Sequence, residues 1–402
     1  MPRASLIRQA PTRLRGAVCH CLLLGALASG QASAELAADP LDVYETLPVP
    51  YPAHWIFVHD AAFFHMFEGK MILLDPTRQE KTEQYKGMLN TSFLAPFARS
   101  DLRRELYAVD LFYSRGWTGE RTDVVTIYDQ ATLEKIDEIV LPFAKRSMTM
   151  PEKFAAQLID HDRFLLVFNM NPATSVSVVD VARRAFVTEI EIPACALTYP
   201  TGPRGFSTLC GDGSMVSVQL DADGRLKSRE RVAAFFDPGG DPLFEEGTII
   251  EGVGYFPTFH GDVQEIDFRG DTATVGQRWS LVSERQRAMN WRPGGHQITA
   301  ADKRGRLYVL MQPDGGEGTH KDGGSEVWVY DVAERARVQR TPLQHWGNSI
   351  AVTAGTKPQL IVNNPEDMTI DVYDARSGTL ERTLEDFGME TSFLVYTMHQ
   401  GE

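Results

Sequence analysis

The chain has 402 residues, 43% hydrophobic and 23% charged, with a formal net charge of −14 at pH 7. That balance excludes a disordered chain, which lacks the apolar residues to build a core. The excess of acid over base also disfavours nucleic acid and anionic membrane surfaces as partners, since both repel it.

Residues 1–34 read as an export signal. Arg3, Arg8, Arg13 and Arg15 give a basic start, "GAVCHCLLLGALASG" a short apolar stretch, and "ASA" at Ala32–Ala34 a small-residue cleavage site. The apolar run is too short to span a bilayer. No twin-arginine pair occurs and no lipobox precedes Cys21, so general export without a lipid anchor is expected. Cleavage removes four arginines and no acidic residue, which takes the charge to −18. It also removes Cys19 and Cys21 and leaves Cys195 and Cys210 in an oxidising compartment, where a disulfide between them is the natural reading. Closing that short loop stabilises by about 3 kcal/mol in loop-entropy terms. A redox-active pair would more usually be spaced C-x-x-C.

Residues 35–50, "ELAADPLDVYETLPVP", are acidic and punctuated by proline, and read as an arm leading into a single domain over 51–402. The domain opens near "HWIFVHD", where His54, His59, His65 and Asp60 are the one histidine cluster worth weighing as metal ligands. In an extended strand His59 and His65 would share a face. A metal site needs further ligands and supporting hydrogen bonds, and polar strand ends satisfy the same residues without one, so no metal is assigned.

A repeat then runs along the chain. Short β-rich segments end on an aspartate: "KMILLD" at Asp75, "VVTIYD" at Asp129, "SVSVVD" at Asp180, "MVSVQLD" at Asp221, "DVQEID" at Asp267, "EVWVYD" at Asp331 and "TIDVYD" at Asp374. Val, Ile, Tyr and Trp in such runs suit buried, pleated strands. The aspartate suits the corner that follows because its carboxylate accepts from backbone N–H groups of the turn. Successive aspartates stand 54, 51, 41, 46, 64 and 43 residues apart, the length of one four-stranded blade each. Seven units predict an all-β fold, a seven-bladed β-propeller. The widest spacings, before Asp129 and before Asp331, mark the longest insertions. Ring closure should pair a strand near Trp55–Val58 with one within Ser392–Met398.

Helical signals are few. "PEKFAAQLID" from Pro151 carries a weak 3.6-residue pattern, and "SLVSERQRAMNW" from Ser280 predicts a short connecting helix. Glu245 and Glu246 are adjacent, so on a strand they would face opposite sides and make no acid/base pair. The stretch "QPDGGEGTHKDGGSEVWVYD" from Gln312 invites a phosphate-loop reading. A P-loop needs Gly-Lys-Ser/Thr opening a helix, whereas here Asp322 follows Lys321 and a strand comes next. No G-x-S-x-G, H-E-x-x-H or C-x-x-C-H is present. The many aromatics of the first blades, Phe63 to Trp117, read mostly as core. An exposed patch among them would point to a partner surface or an apolar substrate channel.

Five segments in order resemble the heavy (alpha) subunits of the quinoprotein amine dehydrogenases. They are "GERTDVVTIYD" from Gly119, "NPATSVSVVDVA" from Asn171, "FSTLCGDGSMVSVQL" from Phe206, "NWRPGGHQ" from Asn290 and "PDGGEGTHKDGGSEVWVYD" from Pro313. The similarity runs from about residue 50 to the end. "WRPGG" is similar to the methylamine branch, while "PATS", "CGDG" and "EGTHK" look more like the aromatic amine (aralkylamine) branch.

The resemblance implies a periplasmic α2β2 heterotetramer. A small, cysteine-rich light subunit would carry tryptophan tryptophylquinone, so this chain would bind no cofactor and hold no catalytic residue. A primary amine would be oxidised to an aldehyde, and electrons would pass singly to a cupredoxin such as azurin or amicyanin. Within "KGMLNTSFLAPF", Phe93 matches the phenylalanine that lines the family's substrate channel, although Asn90, Thr91 and Ser92 depart from both branches. Cys195 and Cys210 fall where the family places its heavy-chain disulfide. Two other classes stay open: a free-standing binding propeller, and a lactonase-type hydrolase, whose ring of carboxylates and metal cannot be identified in the sequence.

Overall fold

The computed structural model describes residues 46–398 except Phe67, Met148 and Met389. The expected signal at 1–34 and most of the arm lie outside the described residues. The described chain forms seven antiparallel sheets, the blades of an all-β propeller.

Blade 1 comprises Phe97–Ser100, Glu105–Arg115, Thr118–Asp129 and Lys135–Leu141, from the channel outwards. Blade 2 runs from Ala156–Ile159 to Ala185–Glu191, blade 3 from Cys195–Pro200 to Leu226–Val232, and blade 4 from Thr248–Ile250 to Thr274–Ser280. Blade 5 has two short inner strands, Arg292–Pro293 and Thr299–Ala301, both paired to Arg306–Gln312. Blade 6 spans Ser349–Val352 to Leu380–Leu384. Blade 7 closes the ring: its inner strand Thr391–Thr397 pairs with Ile56–Ala61, as the termini of the predicted domain require.

Each repeated aspartate ends the third strand of its blade or, as Asp75 and Asp221 do, follows it directly. Each accepts backbone N–H groups of the turn, for example Asp129 from Ala131 at 2.8 Å, Asp221 from Asp223 at 2.9 Å and Asp374 from Ser377 at 2.8 Å. The strand before it is buried, because the second and third strands face a blade on either side. "SVSVVD" and "MVSVQL" are buried throughout, whereas the outer strand Leu226–Val232 is exposed at six of its seven positions.

The core is a chain of interfaces rather than a single centre. Tyr107, Val109 and Ile127 of blade 1 meet Leu165, Val167 and Val179 of blade 2. Phe57 and Leu73 of blade 7 meet Phe97 and Leu106 of blade 1. Equivalent clusters lie between the remaining blades.

Two local expectations need correction or refinement. The helical pattern from Pro151 yields only a 3-10 turn, Lys153–Ala155, followed by the strand Ala156–Ile159. Pairing with Phe164–Val167 at the channel wall outweighs a weak propensity there. The helix expected after Ser280 does form, over Glu284–Ala288. Ser283 caps it reciprocally with Gln286, which satisfies the end amides.

The turn aspartates differ in reach. Asp180 also receives Arg163 at 3.1 Å with its side chain 2% exposed, while Asp374 bonds only within its turn. Asp180→Ala should lower unfolding stability by about 2 kcal/mol and Asp374→Ala by about 1 kcal/mol. Chemical denaturation of the two variants checks the order.

Candidate functional site at the channel mouth

Every inner strand follows the outer strand of the preceding blade, so all seven run in the same direction along the channel. The segments leading into them therefore gather at one end. These include Phe93–Pro96, Pro151–Ala155, Glu245–Gly247, His296–Ile298 and Glu390. The loops between second and third strands reach the same end, among them the turn at 62–66, the hairpin tip at Trp117 and the glycine-rich loop at 313–323. A cavity of about 440 Å³ runs behind this mouth, lined by Lys153, Phe154, Gln297, Thr299, Val395 and Tyr396 among others.

Phe93 stands on this rim but is closed off, 3% exposed among Ala61, Leu94, Phe393 and Leu394. A run of rings leads outward from it. Phe63 lies 6.4 Å from Phe93, 5.7 Å from Phe393 and 5.7 Å from Phe64, centroid to centroid. Exposure climbs along that run, from 3% at Phe93 through 39% at Phe63 to 83% at Phe64. Met66, Trp117 and Phe143 are exposed as well. Of the aromatics first read as core, Phe97 and Tyr107 are buried as expected. Phe63, Phe64, Phe112 and Trp117 are not, and Phe67 lies outside the described residues.

The opposite side of the mouth is charged. Glu246 is buried, and its carboxylate accepts the backbone N–H of Lys153 at 2.8 Å. It is also hydrogen-bonded to Glu152. Burial raises the pKa of both, and for Glu152 the neighbouring Glu246 charge raises it further. The strand on which alternation would part Glu245 from Glu246 begins only at Thr248; Glu245 is exposed, and its charge acts on both Glu152 and Glu246. This partnership was invisible in the sequence, because Glu152 and Glu246 stand at the entries to the inner strands of blades 2 and 4 and meet only across the channel mouth. Only the closed ring could reveal it.

The glycine-rich loop completes the rim. Gly318 and Gly323 take φ of 87° and 86°, and a Cβ on Gly323 would sit 2.1 Å from the Gly347 carbonyl. Gly295 N–H donates to the His320 carbonyl at 2.9 Å, and Asn348 donates to the Lys321 carbonyl at 3.0 Å. Lys321 is thereby held where its charge acts on Glu152, Glu245 and His296. Its part is that of a rim cation, in keeping with the rejection of a phosphate loop.

The histidines of the opening stretch are not brought together. His54 faces Asp75 at 3.4 Å, and His65 pairs with Glu390 at 2.8 Å from the turn beyond the strand. The shared face expected for His59 and His65 is lost because the strand ends at Ala61. Among the described residues no group of three or more His, Cys, Asp or Glu side chains could hold a metal ion. Cys195 and Cys210 are joined as a disulfide across the first two strands of blade 3.

His59 is fully buried, and desolvation with the nearby charge of Arg146 lowers its pKa to about 3. His296 donates from Nε2 to the Pro151 carbonyl, and burial lowers its pKa to about 4. Both titrate near 6.5 when unfolded. Their stabilising contribution is therefore complete above that pH and is lost as pH falls through 6.5 toward the folded values. Urea unfolding between pH 6 and 5 should show stability falling with acid. In His59→Gln the slope should be shallower by about 1.4 kcal/mol per pH unit. The glutamate pair has the opposite sign: its raised pKa favours folding at low pH and is lost as pH rises. Glu246→Gln keeps the acceptor for Lys153 and should raise Tm at pH 8 without raising it at pH 4.

Comparison with known proteins follows the same architecture. The chain spans 86% of its length in superposition with a functionally unknown protein from Desulfotomaculum acetoxidans, covering 98% of that chain at TM-score 0.58 and 12% identity. Against dihydro-heme d1 dehydrogenase the coverage is 88% and 67%, at TM-score 0.54 and 13% identity. Such identities speak to fold alone. Sequence relatives are more specific. The methylamine dehydrogenase heavy chain of Methylophilus methylotrophus is 28% identical over 404 residues, covering 97% of both chains. That of Paracoccus versutus is 29% identical over 349 residues, covering 85% of this chain and 79% of its own. The profile of the family described as "Methylamine dehydrogenase heavy chain (MADH)" matches residues 52–399. With that match spanning all seven blades, the chain belongs to the methylamine dehydrogenase heavy chain family.

Proposed function

We propose that this chain is the non-catalytic heavy subunit of a periplasmic amine dehydrogenase that converts primary amines, aromatic ones by preference, to aldehydes. The observation that carries the reading is membership of an amine dehydrogenase heavy-chain family over residues 52–399. In this reading a small light subunit docks on the channel mouth in an α2β2 assembly and brings tryptophan tryptophylquinone, which supplies the electron-accepting chemistry. A cupredoxin of the azurin or amicyanin kind receives the electrons.

This chain's own contribution is binding and exclusion of water. Phe63, Phe64 and Met66 offer an exposed apolar patch beside the rim, a surface suited to a partner. Phe93 behind them lines the amine's path and limits the size of its side chain. The aromatic preference is supported by the rings of Phe63, Phe64, Phe93 and Phe393 around one point of the mouth. A methylamine preference is the second reading, and the names of the relatives favour it.

Purification from the native host should yield a coloured complex with a small second chain, bleached by 2-phenylethylamine in preference to methylamine. Bleaching by methylamine alone would establish the second reading, and a colourless single chain would refute both. Phe93→Ala in that complex should change the ratio of kcat/KM between the two amines by about tenfold or more, the scale of one pocket-filling group.

A further inference from the structure

We propose that Arg146 is a positioning residue for amine selection: its buried guanidinium fixes the turn that carries Phe93 and so sets the width of the amine's path. The proposal rests on the reading of Phe93 as a channel residue.

The turn has a structural problem to solve. It leaves the outer strand of blade 7, Tyr85–Ser92, and enters the inner strand of blade 1, Phe97–Ser100. Between them Phe93, Leu94 and Ala95 are buried, so their backbone groups cannot turn to water. Leu94 also adopts φ of 51°, a left-handed conformation that a leucine takes only when its surroundings impose it.

Arg146 imposes it. The guanidinium is fully buried. Nη2 donates to the Phe93 carbonyl at 2.7 Å and to Ser92 Oγ at 3.1 Å. Nη1 donates to the Leu94 carbonyl at 3.2 Å and to the Ser147 carbonyl at 2.6 Å. One planar fork therefore binds three consecutive residues centred on Phe93. The fork is itself anchored: Arg146 N–H donates to Asp123 at 2.9 Å, and Asp123 is gripped by Arg121 at 2.6 and 2.8 Å. The turn is held from its other side by Asp110, which accepts Ser92 N–H at 2.7 Å and the Thr126 hydroxyl at 2.6 Å.

The charges are accounted for. Asp110 and Asp123 are buried carboxylates whose charge favours the guanidinium, and Arg121 opposes it. Burial lowers the pKa of Arg146 to about 10, which leaves it charged at neutral pH. A guanidinium used merely to fill space would be a poor choice, because burying a charge is costly and an apolar side chain of similar volume serves as well or better. The directional fork is what an apolar group cannot supply. Lysine keeps the charge but loses the planar donor set.

The experiment uses the assembled enzyme with its light subunit, in four forms: wild type, Arg146→Lys, Phe93→Ala and the double variant. The readout is the ratio of kcat/KM for 2-phenylethylamine to that for methylamine. Arg146→Lys should shift this ratio by about threefold to tenfold, and should add nothing to the shift in the Phe93→Ala background. A purely structural role would lower kcat for both amines alike, through loss of assembled enzyme, and leave the ratio untouched. That outcome, with Phe93→Ala shifting the ratio, overturns the role of Arg146 and spares the reading of Phe93. An unchanged ratio in Phe93→Ala overturns both. If Arg146→Lys does not assemble, Ser92→Ala decides the matter. It removes one acceptor of the fork while leaving the charge in place, and an unchanged ratio there overturns the inference.

Discussion

A propeller blade is apolar on both faces, so it is stable only with a neighbour on each side, and the ring has to close. In this chain closure is made by pairing Thr391–Thr397 with Ile56–Ala61. Everything at the channel mouth depends on that pairing. Gln297 donates to the Val395 carbonyl at 3.0 Å and accepts Val395 N–H at 2.9 Å, so the inner strand of blade 7 is also tied to the entry of blade 5 across the channel. Asn363 donates to the Ser392 carbonyl at 3.1 Å and ties the same strand to blade 6. The closing strand thus serves as wall, seam and anchor for Phe393, one of the rings around Phe93.

The repeat was legible because its cause is local. A buried third strand selects Val, Ile and Tyr, and the corner after it selects an aspartate that can accept two turn amides. Both requirements recur in every blade, and so does the pattern. Closure was legible for a related reason, since a ring leaves only the terminal strands to pair. The helix after Ser280 was legible through its capping residues. The strand Ala156–Ile159 was not, because what makes it a strand is the neighbouring Phe164–Asn169 rather than its own composition.

The mouth was legible only in part. Cys195 and Cys210 could be paired by elimination, since the chain holds no other cysteine beyond the two in the expected signal. Glu152 and Glu246 could not be paired, because they meet through the entries to two different inner strands. Phe93 was reached through resemblance, and its burial beneath Phe63 carries no mark in the local sequence. Arg146 was missed altogether: in "PFAKRSMTM" it looks like any surface arginine, and only the fold, which sets the crossing from blade 1 to blade 2 against the turn from blade 7 into blade 1, shows that its side chain turns inward.

The placement of charge follows from the same geometry. Between blades the faces are apolar, and an ionised group there has neither water nor counter-charge. The channel offers open space, and the carboxylates of Glu245 and Glu246 and the amine of Lys153 collect at its end. Arg146 departs from this rule: it is fully buried on the crossing from blade 1 to blade 2, its side chain against the turn that enters blade 1. It can do so because Asp110 and Asp123 lie close by, and because the turn it serves presents the Phe93 and Leu94 carbonyls to it. Removing the guanidinium would take a nearby cation from the buried carboxylate of Asp110 and a donor from the carbonyls of Phe93, Leu94 and Ser147, while Asp123 would keep Arg121. Such a cost is tolerated in a fold when the geometry it secures is needed, and what it secures here is the placement of one phenylalanine at the edge of the channel.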